Sequence, residues 1–219
     1  MLKKSKILTH TSKTFNINQY NLYKYRLENT NLIWVNQVLD IVEKYDFKTI
    51  KDIGCNYFQF YKELKIRKSK KDYFGYDIDQ KFVNLGLTKF PELKNKYKIG
   101  NCEKIYLKPT DFSVISAVLE HSVDPYKLLK NVLNSTKKVI CIRTFLDKQP
   151  HNAVCINKKG QLLPYNSNQF SYTDIEKVLN KFQFKCFFFL DKATNYSTKF
   201  EIINKKYKRT MYVVLGVKK

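Results

Sequence analysis

Thr49-Ile50-Lys51-Asp52-Ile53-Gly54-Cys55-Asn56-Tyr57-Phe58-Gln59-Phe60 is the stretch that decides the fold of this chain. A short β-branched run ends at Asp52 and Gly54, and an amphipathic segment from Phe58 to Ile66 begins at once. The pattern predicts a strand, a sharp turn and a helix, with small residues where the backbone turns tightly. A turn of this kind at the carboxyl end of a strand opens a ligand crevice, with helix N–H groups pointing into it.

Upstream, Leu32, Val35, Val38, Leu39, Val42 and Tyr45 recur at three- and four-residue spacing, which predicts a helix from Asn31 onward. Tyr20, Tyr23 and Tyr25 precede it, and residues 1–17 show no periodicity. Downstream, Asp72-Tyr73-Phe74-Gly75-Tyr76-Asp77-Ile78-Asp79 reads as a second strand ending in carboxylates, with Asp77 lying 23 residues beyond Gly54. At about 20 residues past a glycine turn, a βαβ unit brings a carboxylate to ribose hydroxyls. A carboxylate suits that role because it accepts two hydrogen bonds from a vicinal diol. Asp77 and Asp79 both qualify, and Asp79 also fits as the cap of a helix from Gln80 to Leu87.

A third short strand is expected at Tyr97-Lys98-Ile99, running into Gly100-Asn101-Cys102-Glu103. A fourth, Phe112 to Ser116, runs into Ala117-Val118-Leu119-Glu120-His121, and Asp124-Pro125 opens the next helix. Lys138 to Thr144 alternates as a fifth strand. Phe145 to Phe170 is irregular, with a candidate hairpin around Lys158-Lys159-Gly160; long irregular segments in compact domains tend to bind ligands. Ser171 caps a helix through Lys181, Gln183 to Leu190 reads as a buried strand, and Met211 to Val217 as its antiparallel hairpin partner.

Asp52-Ile53-Gly54-Cys55 resembles the first motif of class I S-adenosylmethionine-dependent methyltransferases, Gly75-Tyr76-Asp77 their second, and Leu119-Glu120-His121 followed by Asp124-Pro125 the fourth motif of their small-molecule branch. The family repeats glycine at alternate positions of the first motif, whereas this chain carries Asn56 and Phe58. The resemblance covers roughly residues 31–217. It implies a Rossmann-like three-layer α/β/α sandwich, with a seven-stranded, mostly parallel sheet closed by a C-terminal antiparallel hairpin. Residues 1–30 would be an N-terminal arm or cap, 31–219 the methyltransferase domain, and about 145–170 an acceptor-loop insertion. S-adenosyl-L-methionine would be held by Asp52, Gly54, Cys55 and Asn56 at its methionyl part and by Asp77 at the ribose, with Ile78 also touching the cofactor. Asn101 and Cys102 would take the adenine, and Ala117 would face the methyl group. The tyrosines before the first helix either cover the cofactor or pack against the sheet.

Methyl transfer gains most from aligning the acceptor in line with an already activated sulfonium. A base helps when the acceptor is a hydroxyl. His121, after the strand that faces the methyl group, is the first candidate base and His151, on the acceptor loop, the second. No metal site is expected.

The net charge of +22 attracts polyanions, but only Arg26, Arg67, Arg143 and Arg209 are arginine, the residue suited to bidentate phosphate recognition. Lysine scattered among abundant Asn, Ile and Tyr reads equally as a solvated surface shaped by coding bias. The Pro-Pro-aromatic signature of amino-methylating DNA enzymes is absent from the fourth motif. The expected function is methylation of a small molecule or saccharide, on oxygen. The alternatives are a nucleic-acid methyltransferase, favoured if lysines and exposed aromatics cluster in a groove, or an inactive methyltransferase fold that serves as a binding partner. Five widely spaced cysteines without a Cys-x-x-Cys pair, and no apolar run of spanning length, point to a cytoplasmic protein.

Overall fold

The computed structural model describes residues 21, 24–28, 32–150, 154–156, 162–166, 168–194, 198–202 and 205–219. Five strands with a parallel core come first: β1 (Thr49–Ile53), β2 (Asp72–Asp77), β3 (Tyr97–Ile99), β4 (Thr110–Ser116) and β5 (Thr136–Asp147). They lie in the spatial order β3-β2-β1-β4-β5, each parallel to its neighbour. The helices α1 (Ile33–Val42), α2 (Gln59–Ile66), α3 (Gln80–Lys89), α4 (Pro125–Asn134) and α5 (Tyr172–Lys181) alternate with strands along the chain. Alternation of this kind yields a parallel sheet covered on both faces.

Side chains pointing to opposite faces of each strand divide the core in two. Ile50 of β1, Phe112 and Val114 of β4 and Cys141 of β5 meet α1, α2 and α3. Ile53, Ile115, Ile140 and Ile142 meet α4 and α5 on the other side. Phe112 is the aromatic hub of the first face, with ring centroids 5.1 Å from Phe47 and 6.0 Å from Phe60.

The caps follow the sequence. The side chains of Asp79, Asp124 and Ser171 accept the N–H groups of Lys81, Lys127 and Asp174 at 2.9, 3.0 and 3.0 Å. Each removes one of the unsatisfied donors at a helix start.

The C-terminal strands differ in detail from expectation. β9 (Phe184–Leu190) and β11 (Lys205–Lys218) pair antiparallel, and β11 also pairs antiparallel with β5, so β11 lies inside the sheet and β9 at its edge. Seven strands therefore run β3-β2-β1-β4-β5-β11-β9, and the short β8 (Phe170–Ser171) and β10 (Thr198–Ile202) enlarge the sheet to nine among the described residues. The expectation of a buried strand from Gln183 to Leu190 is corrected. Phe184 is buried, and Cys186 and Phe188 pack against the cluster of α5, but Phe187 and Phe189, on the opposite face, are 36% and 37% exposed and the terminal Leu190 46%. β6 (Val154–Ile156) and β7 (Leu162–Asn166) form the antiparallel pair expected around Lys158-Lys159-Gly160. His151, Tyr20, Tyr23 and residues 157–160 lie outside the described residues.

Candidate active site

Every predicted cofactor residue lies at the carboxyl ends of β1, β2, β3 and β4 or in the turn that follows, where the chain reverses direction between neighbouring parallel strands. The turn after β1 puts Gly54, Asn56 and Phe58 in the left-handed region, with φ of +73°, +53° and +63°. Gly54 is required twice over. Besides its φ, a Cβ there would collide with Val118, just beyond β4. The N–H groups of Gly54 and Cys55 both donate to the carbonyl of Tyr76, at 2.8 and 3.0 Å, tying the turn to β2.

Asn56 carries the next connection. Its N–H donates to Oδ2 of Asp77 at 2.7 Å, while its own Oδ1 accepts the N–H of Tyr57 at 2.9 Å. Oδ1 of Asp77 accepts the N–H of Asp79 at 2.8 Å. Both Asp77 oxygens are thus oriented by backbone, and each keeps a second lone pair for a ligand hydroxyl. Ile78, next in sequence, is 51% exposed and offers an apolar surface beside that carboxylate.

Phe58 departs from the family's glycine and yet leaves the crevice. Its ring is buried in the core, 6.2 Å from the rings of both Tyr73 and Tyr97. Two glycines make the space: a Cβ at Gly75 would sit 3.2 Å from the ring, and one at Gly86 2.6 Å from it. The left-handed backbone, which costs a non-glycine residue roughly 1–2 kcal/mol, directs the side chain into this slot.

Burial dominates the electrostatics. Asp52 accepts a hydrogen bond from the Tyr73 hydroxyl at 2.7 Å. Its carboxyl is pushed up to about 7 by burial, against the Tyr73 hydrogen bond and helped by the charge of Asp77. Asp77 is raised to about 6 by burial, against the N–H groups of Asp79 and Asn56. Two desolvated carboxylates at one crevice favour a cationic ligand, since a positive charge relieves both. Burial pushes the Cys55 thiol well above its ordinary value, and that of Cys102 up to about 12, so both remain protonated walls.

The β3 turn joins this frame, because the N–H of Gly100 donates to the carbonyl of Asp77 at 2.8 Å. Oδ1 of Asn101 accepts the N–H of Glu103 at 2.8 Å, which uses one of its two lone pairs. Oε1 of Glu103 then accepts the hydroxyl of Ser122 and the N–H groups of Val123 and Asp124, linking the β3 turn to the segment after β4. Ala117, with φ +54°, donates its N–H to the carbonyl of Arg143 at 2.9 Å.

His121 ends a 3-10 turn, Leu119–His121, and its Nδ1 lies 2.8 Å from the carbonyl of Asn166 on β7. A carbonyl can only accept, so Nδ1 carries the proton and a neutral ring has its lone pair on Nε2. Neighbouring Glu120 is buried and accepts the Thr144 hydroxyl at 3.2 Å. Among the described residues, no group of three or more His, Cys, Asp or Glu side chains is placed to hold a metal ion.

Sequence reading missed a second buried cluster near this end of the sheet. Nε and one Nη of Arg143 donate to the two carboxylate oxygens of Asp191 at 2.9 and 3.0 Å, and that Nη also reaches the Thr194 hydroxyl at 2.6 Å. The guanidinium lies 5.6 Å from the centre of the Trp34 ring. Burial alone would raise Asp191, but the Arg143 hydrogen bonds hold it below the ordinary carboxylate value. Arg143, directly after the apolar run Val139 to Ile142, was the available signal.

A parallel sheet of this strand order, with an acidic residue at the end of β2 holding the turn after β1, defines the class I methyltransferase fold. Solved structures agree. An S-adenosylmethionine-dependent methyltransferase from Clostridium acetobutylicum is 14% identical over 93% of this chain and 100% of its own, with a TM-score of 0.62. Magnesium protoporphyrin IX methyltransferase from Synechocystis, with bound S-adenosylmethionine, is 13% identical over 94% of each chain, with a TM-score of 0.59. The N-terminal domain of EvdMO1, in the presence of S-adenosylhomocysteine and D-fucose, is 11% identical over 96% of this chain and 100% of its own, at 0.63. Residues 51–139, under half of the chain, match the family model of a methyltransferase domain. A search of curated proteins finds no sequence match.

Proposed function

We propose that this chain transfers the methyl group of S-adenosylmethionine to a hydroxyl oxygen of a small molecule or saccharide. The observation that carries the reading is the doubly oriented Asp77 carboxylate, held by Asn56 and Asp79 beside exposed Ile78. It supports a ribose diol on the carboxylate and an adenine face against the isoleucine. Asp52 and Asp77 favour the positive sulfonium and ammonium groups of the cofactor.

On the acceptor side, the Asn166 carbonyl orients the His121 ring after β4, which supports a role for that ring as the base for an acceptor hydroxyl. The hairpin of β6 and β7, within the expected acceptor loop, is what holds that ring. The structural neighbour studied in the presence of D-fucose supports a saccharide acceptor. Buried free cysteines at 55, 102 and 141 suit a reducing, cytoplasmic compartment, and no described helix is long and apolar enough to cross a membrane.

Calorimetry of S-adenosylmethionine and S-adenosylhomocysteine binding tests the reading, comparing the wild type with Asp77→Ala. Micromolar binding lost in the variant is the expected result. A wild type that binds neither compound would overturn the enzymatic assignment in favour of a binding protein.

A further inference from the structure

On the far side of the β3 turn, Glu103, Lys104, Ile105 and Tyr106 face Lys127, Lys130, Asn131 and Asn134 of α4 across an open hollow of about 390 Å³. The α4 residues recur at three- and four-residue spacing, so they form one helix face. Lys104, Lys127 and Lys130 are exposed, and Tyr106 presents 72% of its surface to solvent.

The one carboxylate in the lining, Glu103, is turned into the wall by Ser122, Val123 and Asp124. Asn131 holds the hollow's shape, its Nδ2 donating to the carbonyls of Cys102 and Ile105 at 2.7 and 2.9 Å.

We propose that this hollow docks single-stranded nucleic acid, with Tyr106 stacking on a base and Lys104, Lys127 and Lys130 taking phosphates. A projecting aromatic ring beside a cationic groove reads the π-face of an unpaired base. A duplex hides those faces. Lysine supplies point charges without bidentate geometry, so the contact is independent of sequence and equal for RNA and DNA. The hollow shares the β3 turn with the proposed adenine contacts, since Asn131 bonds the Cys102 carbonyl, and its occupancy is read without methyl transfer.

The test is fluorescence anisotropy with the full chain and labelled 12-nucleotide RNA and DNA of mixed sequence, titrated at several KCl concentrations. With three phosphates neutralised, log affinity falls against log salt with a slope of about −2. Lys104→Glu with Lys130→Glu lowers affinity at least tenfold and flattens the slope. Tyr106→Ala lowers it by about tenfold and leaves the slope unchanged. Lys70→Glu with Lys94→Glu, which makes the same change in net charge outside the hollow, serves as the control. All variants are checked for unaltered melting temperature and S-adenosylhomocysteine binding. Equal losses in the two charge variants, no loss in Tyr106→Ala, or equal binding of duplex DNA or anionic phosphatidylserine vesicles would each overturn the proposal.

Discussion

The backbone N–H of Asn56 donates to Oδ2 of Asp77 across 2.7 Å, joining the turn after β1 to the carboxylate that ends β2. One side chain thus shapes two walls of the crevice, and disturbing it affects both cofactor contacts and turn geometry.

Asp77→Ala is expected to abolish cofactor binding, whereas Asp77→Asn retains an acceptor and weakens binding less. The wild type should show its own pH dependence. The Asp77 carboxyl is raised to about 6, so it is ionised above that pH and protonated below it. A protonated oxygen loses its accepting capacity, so affinity should fall by about tenfold per pH unit below about 6. Calorimetry between pH 5 and 8, as rough bounds around that value, measures it.

His121→Ala should lower kcat by about 100-fold or more if Nε2 takes the acceptor proton, with cofactor affinity unchanged. His121→Gln tests positioning alone, since its amide can still donate to the Asn166 carbonyl but cannot act as a base. Activity preserved in the glutamine variant would reassign His121 to a positioning role.

Gly86→Ala should reverse the usual helix rule. In the interior of α3 an alanine is ordinarily favoured by about 1 kcal/mol. Here its Cβ would lie 2.6 Å from the Phe58 ring and 2.9 Å from the backbone of Tyr57, so the variant is expected to be less stable than the wild type. Denaturant midpoints at constant m-value decide the sign.

Asp191→Ala leaves the Arg143 guanidinium buried without its bidentate partner and should cost about 3–5 kcal/mol. The pair also predicts acid sensitivity. Because Asp191 is held below its ordinary value in the folded chain, its contribution is present above about pH 4 and lost as pH falls through the folded value. Urea melts of wild type and variant should therefore converge as the pH is lowered.

Lys51, fully buried on β1, donates to the carbonyls of Lys108 and Ser135 and to the Ser135 hydroxyl. Burial lowers it to about 7, against a small opposing influence of Cys102. The unfolded chain therefore binds more protons between about pH 7 and 10.4, and stability should rise with pH across that window. Lys51→Met should remove this rise, which equilibrium melts at a series of pH values would show.

Much of the fold was legible because its signals are local. The helix starts at Asp79, Asp124 and Ser171 follow from short polar side chains bonding N–H groups a few residues on, and the strands follow from apolar runs. The spacing from Gly54 to Asp77 is itself a consequence of one βαβ unit, so a carboxylate at the crevice could be read in advance. Phe58 reads as an obstacle in the turn, because nothing local shows that Gly75 and Gly86 vacate a slot for its ring.

The sequence by itself determined the order of strands and helices, the turn chemistry after β1 and the place of the crevice, since each depends on residues close along the chain. Only the tertiary structure decided which way Phe58 points, which nitrogen of His121 carries its proton, that Arg143 meets Asp191, and that β9 stands exposed at the sheet edge. Those outcomes are set by partners up to 48 residues distant, or, for β9, by its place at the end of the strand order among the described residues. The physical reason is that burial and pairing are properties of the packed chain, whereas periodicity and capping belong to the chain's local geometry.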